Sequence, residues 1–217
     1  LEELQNNVLK MMTIGEESIV YSIRYLLEGK KEFLAKIKEL EKQSDELNLF
    51  IQEYCMSILV RQQPVAKDAR FIVAMMEISS FYERICDLSL EISELQPMKI
   101  ASEIEVLRDY IMWMMQKISQ MIDTNRYSIT HRDIRKLKEK LVSLDNEIDN
   151  LYTTSHDILL NHLKKCPSDI DASVKLLYII RHLERIGDIV AKTGSRIIYI
   201  EKGRPSTMTP CSGVTGC

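Results

Sequence analysis

The residues best placed to do chemistry in this chain are carboxylates spaced four apart: Glu41 and Asp45, Glu83 and Asp87, Asp145 and Asp149, Glu184 and Asp188. On a helix, residues at that spacing are surface neighbours, so each pair sets two oxygen donors on one stripe. Like charges so placed destabilise a helix by about 0.2 to 0.5 kcal/mol per pair. One such pair is unremarkable in a chain with 32 Asp+Glu in 217 residues. The weight comes from position. Laying Glu83-Arg84-Ile85-Cys86-Asp87 on Glu184-Arg185-Ile186-Gly187-Asp188 gives an offset of 101 residues, with four of the five identical. The same offset, corrected for a short gap, sets Glu41 and Asp45 opposite Asp145 and Asp149. If the two pairs of each half converge from neighbouring helices, whose axes lie about 8 to 10 Å apart, four carboxylates reach one or more cations between them. A donor set of oxygen alone suits hard ions such as magnesium, manganese or iron. The competing expectation is a solvated face whose carboxylates do no more than keep the bundle in water.

Other chemistries lack their residues. The four histidines, His131, His156, His162 and His182, show no ligand pattern, and none has Glu three residues before it as di-iron bundles require. His182 is expected on a polar face, away from Glu184. Cys55, Cys86, Cys166, Cys211 and Cys217 make no C-x-x-C pair and are odd in number, which points to a reducing compartment rather than a disulfide framework. Cys86, a helix-interior thiol beside carboxylates, is expected to have a raised pKa and low reactivity. No glycine-rich phosphate loop, nucleophile elbow or Cys/His nucleophile motif is present. Methionines at core spacing (Met11, Met76, Met114, Met121) are expected as filler.

Long helices must position these groups. Only seven Gly and five Pro interrupt the chain, and between them apolar residues recur at three and four. The spacing predicts a first helix over 1–27, a second following it to about residue 61, and others over 64–95, 102–123, 133–165 and 167–201, with Pro64 and Pro167 starting the third and sixth. Gly29 and Gly203 lie just past helix ends. Ser102-x-x-Glu105 is expected to cap the fourth helix, and Gln96-Pro97 to mark a boundary. The order of two long helices and a proline-started one occurs twice. The chain is therefore expected to be all-α, with a first three-helix repeat over 1–96, a second over 97–203 and a disordered tail over 204–217.

Net charge is -3 with a pI near 5.9, so no overall positive field collects nucleic acid or anionic lipid. The longest uninterrupted apolar run, Phe71–Met76, is far short of the ~20 residues a membrane-spanning helix needs. The opening residues carry no basic-then-apolar leader, so no secretory signal is expected there.

Arg61-Gln62-Gln63-Pro64-Val65-Ala66, then Asp68, Arg70 and Glu83-Arg84-Ile85-Cys86-Asp87, make the chain resemble the PhoU family of phosphate-uptake regulators. Arg181-His182-Leu183-Glu184-Arg185-Ile186-Gly187-Asp188 and the Ile198-Tyr199-Ile200-Glu201-Lys202-Gly203 ending repeat the match in the second half, and the resemblance covers residues 1–203. It implies two three-helix bundles related by a pseudo-twofold. It also implies a cytoplasmic, non-catalytic adaptor that works at the inner face of the membrane with the ATPase of a phosphate ABC transporter and a sensor histidine kinase, keeping phosphate-starvation genes off when phosphate is plentiful. The family's paired acidic motifs hold metal ions, which carries over to Glu41/Asp45 with Glu83/Asp87 and to Asp145/Asp149 with Glu184/Asp188. Where the family commonly has Asn four residues after the motif aspartate, this chain has Glu91 and Lys192. Glu91 is expected to add an oxygen to the first site and Lys192 to reach back to Asp188, so the first site is expected to bind metal more strongly. Cys86, where the second half has Gly187, suggests a less close helix approach. A homodimer through exposed apolar helix faces is expected. The alternatives are a carboxylate-bridged metalloenzyme and an accessory protein of another phosphate permease.

Overall fold

Glycine and proline sit at helix ends and leave the intervening sequence free to coil. The computed structural model describes residues 1–95, 97 and 104–204. It contains α1 (Glu2–Glu28), α2 (Lys31–Gln62), α3 (Ala66–Glu94), α4 (Val106–His131), α5 (Leu137–Lys165) and α6 (Ile170–Lys202), with a 3-10 turn over Pro167–Asp169 before α6. No strand occurs among the described residues. Gly29 (φ 70°) and Gly203 (φ 68°) close α1 and α6 in the left-handed region, each donating its N–H back to a carbonyl of the last turn, a conformation that costs other residues more.

Buried positions on α2 (Phe33, Ile37, Leu40, Ser44, Ile51, Cys55, Ile58) and on α5 (Leu137, Leu141, Leu144, Ile148, Ser155, Leu159, His162) recur at intervals of three, four and seven. That is the seam of a helix packed along its length against two neighbours. Accordingly α1, α2 and α3 pack on one another as one three-helix bundle, and α4, α5 and α6 as a second. The bundles join chiefly through α3 against α6, with a smaller contact of α1 against α4. Like helix meets like, as a pseudo-twofold relation between the halves requires. One apolar cluster runs through both bundles. Polar bridges line the junction: Arg126 to Glu16 at 2.9 Å, Lys67 to Glu201 at 2.6 Å, Arg196 to Glu77 at 3.1 Å, and His182 Nε2 to Glu91 Oε2 at 2.8 Å.

Several boundaries differ from the sequence expectation. α4 continues past Asp123 to His131. Thr124 and Thr130 return their hydroxyls to carbonyls four residues back, and Asn125 donates to the Val190 carbonyl of α6 at 2.8 Å, so this polar stretch is satisfied as helix. Asp133 sits in the following turn, accepting from the Arg135 N–H at 3.0 Å, and α5 starts at Leu137. Pro64 precedes α3 by two residues. The regular part of α4 starts at Val106 with Glu105 as its first flanking residue, while Ser102 of the expected cap, Gln96 and residues 205–217, with Cys211 and Cys217, lie outside the described residues. Met11, Met114 and Met121 are buried, and Met76 packs partly buried against the core.

α1 and α3 approach so closely that a Cβ on Gly15 would stand 2.7 Å from Cδ1 of the fully buried Tyr82 ring. At Gly187 the nearest atom would be the Ile148 Cδ1 methyl at 3.1 Å, the far end of an adaptable chain. Both substitutions to Ala gain the same helix propensity, so their difference isolates overpacking. Gly15→Ala is expected to be less stable than Gly187→Ala by about 1 to 3 kcal/mol in denaturant unfolding; equal stabilities would contradict the tight α1–α3 contact.

Candidate metal centre

The first acidic group is built on the facing edges of α2 and α3. Leu40 and Ser44 point into the bundle, and Leu40 packs with Ile14 and Cys86. Glu41 and Asp45 follow them by one residue and are carried to the rim of the seam, and on α3 the buried Cys86 sets Asp87 at the same rim. Glu41, Asp45 and Asp87 each offer an oxygen, all within 4.8 Å of one another. Oxygens bound to one ion lie at most about twice a metal–oxygen bond apart, about 4 Å for magnesium and about 5 Å for calcium. The three oxygens are thus at the spacing where a single hard cation can touch all of them after small rotamer changes. Glu83, one turn earlier on α3, does not belong to that triplet.

Charge crowding is felt across the group. The Glu41 carboxyl is raised, first by burial and then by Asp45 and Asp87. Glu83 is raised by burial, Asp87 and Asp45, with Arg84 opposing. Asp87 is raised by burial and Asp45, against Arg84. Burial takes water from these carboxylates and the facing helix supplies more negative charge, both of which oppose ionisation.

The second group repeats the register on α5 and α6. Asp145 is pushed up to about 6 by burial, then by Asp149, Asp188 and Glu184, with Lys192 opposing. Asp149 is raised by burial and Asp188. Here, however, the described side chains do not bring three carboxylates within 4.8 Å, and cations intrude. Arg181 Nη1 lies 2.7 Å from Glu184 Oε2, although no hydrogen bond is directed at that buried oxygen. Glu184 is raised by burial, with Arg181 opposing.

Several expectations about single residues need correction. Glu91 adds no oxygen to the first group, because its Oε2 takes the bond to His182 Nε2 across the junction. His182 is buried, with Nδ1 on the Tyr178 carbonyl at 2.8 Å, and is not a polar-face residue. Lys192 makes no ion pair with Asp188 among the described residues, and acts on Asp145 instead. The expectation for Cys86 holds: it is fully buried beside the Ser18 hydroxyl, and its thiol is raised to about 11, mainly by burial. His162, expected to ligate nothing, lies with Cys166 and Asp169 in a second cluster of donor atoms. A helix end and a proline-led turn separate Asp169 from His162 and Cys166, so helical periodicity does not join all three.

A family model described as "PhoU domain" matches residues 8–96 and again 111–197. A phosphate-specific transport system accessory protein PhoU homolog of Archaeoglobus fulgidus is 31% identical over 201 residues, covering 93% of this chain and 92% of that protein. One from Borreliella burgdorferi is 30% identical over 192 residues, with 84% and 85% covered. Among solved structures, the phosphate transport system regulatory protein PhoU of Streptococcus pneumoniae superposes with a TM-score of 0.81 at 22% identity, covering 95% of this chain and 97% of that one. PhoU from Pseudomonas aeruginosa gives 0.78 at 20% identity, covering 94% and 98%. With the domain matched twice, on the two bundles whose α2–α3 and α5–α6 seams carry the acidic groups, this chain belongs to the PhoU family.

Proposed function

We propose that this chain is a metal-loaded, non-catalytic adaptor of phosphate uptake and phosphate-starvation signalling. It links the ATPase of a phosphate ABC transporter to a membrane sensor histidine kinase and holds phosphate-responsive transcription down when phosphate is abundant. The observation that carries the metal part is the meeting of Glu41, Asp45 and Asp87 oxygens from two helices within 4.8 Å, with no ion pair to any of the three among the described residues to offset their repulsion. Glu83 stands beside them as a further donor, and Asp145, Asp149, Glu184 and Asp188 form the weaker counterpart. Magnesium, manganese or iron would supply positive charge that cross-links α2 to α3. The carboxylates hold it, and the apolar seam beneath fixes where they stand.

The names of the relatives support the transport part. No helix among the described residues is long and apolar enough to cross a membrane, so contact with transporter and kinase falls to the helical faces. Leu49, Met56 and Val60 on α2 are exposed apolar groups of the kind a protein partner or a second copy covers. Signalling requires only that the adaptor bind two states of its partner with different affinity.

Three results are expected. Purified protein should hydrolyse no phosphate ester and should co-purify with the transporter ATPase or the kinase from cytoplasmic membranes, whereas turnover lost in Asp87→Ala would replace the adaptor by a metalloenzyme. Elemental analysis should show that Asp87→Ala loses more bound metal than Asp188→Ala; equal losses would remove the asymmetry drawn from Arg181 and Lys192. For chelator-treated protein the sign of the pH effect follows from Asp145, held at about 6 against an ordinary 3.8. Between those values the folded chain binds more protons than the unfolded one, so this contribution is full below 3.8 and stability falls as pH rises through 6. Asp145→Asn should therefore flatten the fall of the unfolding midpoint between pH 4 and 7, and parallel profiles would show that Asp145 is not crowded by its neighbours.

A further inference from the structure

The acidic groups are not the only place where ligand atoms converge. At the α5–α6 junction, His162, Cys166 and Asp169 each bring one donor atom within 4.8 Å of the others. His162 and Cys166 are four apart on the last turn of α5 and so share a face. Cys166 ends that helix with φ -127° and ψ 70°, its N–H still bonded to the His162 carbonyl at 2.8 Å. Pro167 then opens a 3-10 turn closed by the Asp169 N–H on the Cys166 carbonyl at 3.1 Å. That turn swings the Asp169 carboxylate back over the imidazole, where Oδ2 lies 2.9 Å from His162 Nε2. The His162 side chain is only 4% exposed, while Cys166 and Asp169 remain partly open to solvent.

We propose that this junction is a second metal site, of a chemical class distinct from the acidic one, which binds a borderline divalent ion such as zinc through His162 Nε2, Cys166 Sγ and an Asp169 oxygen. One nitrogen, one thiolate and one carboxylate are the donors zinc takes, and a thiolate disfavours magnesium or calcium. Three protein ligands leave a fourth, tetrahedral position to water on the open side. On binding, the Cys166 thiol releases its proton to solvent, and the imidazole passes from the Nε2–H form that donates to Asp169 Oδ2 in the ion-free chain to the Nδ1–H form, the Nε2 proton leaving to solvent as one is taken up at Nδ1, so that the Nε2 lone pair faces the metal. The buried histidine and the proline-fixed turn hold two of the three donors before the ion arrives. The ion would then tie the end of α5 to the start of α6, the helices that carry the second acidic group.

Cobalt is the probe, because a thiolate ligand gives a near-ultraviolet charge-transfer band that an all-oxygen site cannot produce. The full chain is used with Cys211→Ser and Cys217→Ser, which removes these two thiols as competing ligands. The expected result is a thiolate–cobalt band saturating at one equivalent, displaced by zinc, absent in Cys166→Ser, and shifted to at least about tenfold weaker affinity in His162→Gln. Cys166 is partly exposed, so its serine variant should keep the parent's circular dichroism and unfolding midpoint. A missing band in the parent, or a band that survives Cys166→Ser, would overturn the site.

Discussion

Mutual repulsion of carboxylates, held in place by the apolar seam beneath them, is the constraint on which this molecule turns. Leu40 and Cys86 in the first bundle, and Leu144, Ile148 and Gly187 in the second, are inward-facing residues that fix where the backbone carries their acidic neighbours along the rim. Burial and the facing helix then act in the same direction, which is why Glu41, Glu83, Asp87, Asp145, Asp149 and Glu184 all resist ionisation. A fold that keeps so many like charges together has either a counter-ion or a standing loss of stability.

The two halves resolve this differently. In the second, Arg181 and Lys192 bring protein cations to the carboxylates. In the first, Arg84 is the cation acting on Glu83 and Asp87, while Glu91 adds negative charge beside Asp87 even as its Oε2 bonds His182 Nε2. That bond belongs to the junction that locks α3 against α6. The two halves thereby differ in that a direct ion pair, Arg181 to Glu184, reaches the second group, while Glu41, Asp45 and Asp87 of the first have none among the described residues.

Much of this was legible in the residues. Apolar spacing and the Gly and Pro positions gave six helices, and the offset of 101 residues between Glu83 and Glu184 paired the acidic motifs before any geometry was known. What stayed hidden depended on long-range partners. Thr124, Asn125 and Ser128 look like a loop because their side chains compete for backbone hydrogen bonds, yet Asn125 spends its amide on Val190 and the helix continues to His131. The burial of His182 follows from α3 packing on α6, which no local pattern encodes. His162, Cys166 and Asp169 converge only once a proline-led turn reverses the chain.

The most direct measurement is a crystal structure of manganese-loaded protein with anomalous scattering recorded at the manganese edge. A peak at about 2.1 to 2.4 Å from Glu41, Asp45 and Asp87 oxygens, the range of hard-cation bonds, is the expected result. Ordered carboxylates turned away from one another into solvent, with no peak between α2 and α3, would contradict the shared cation.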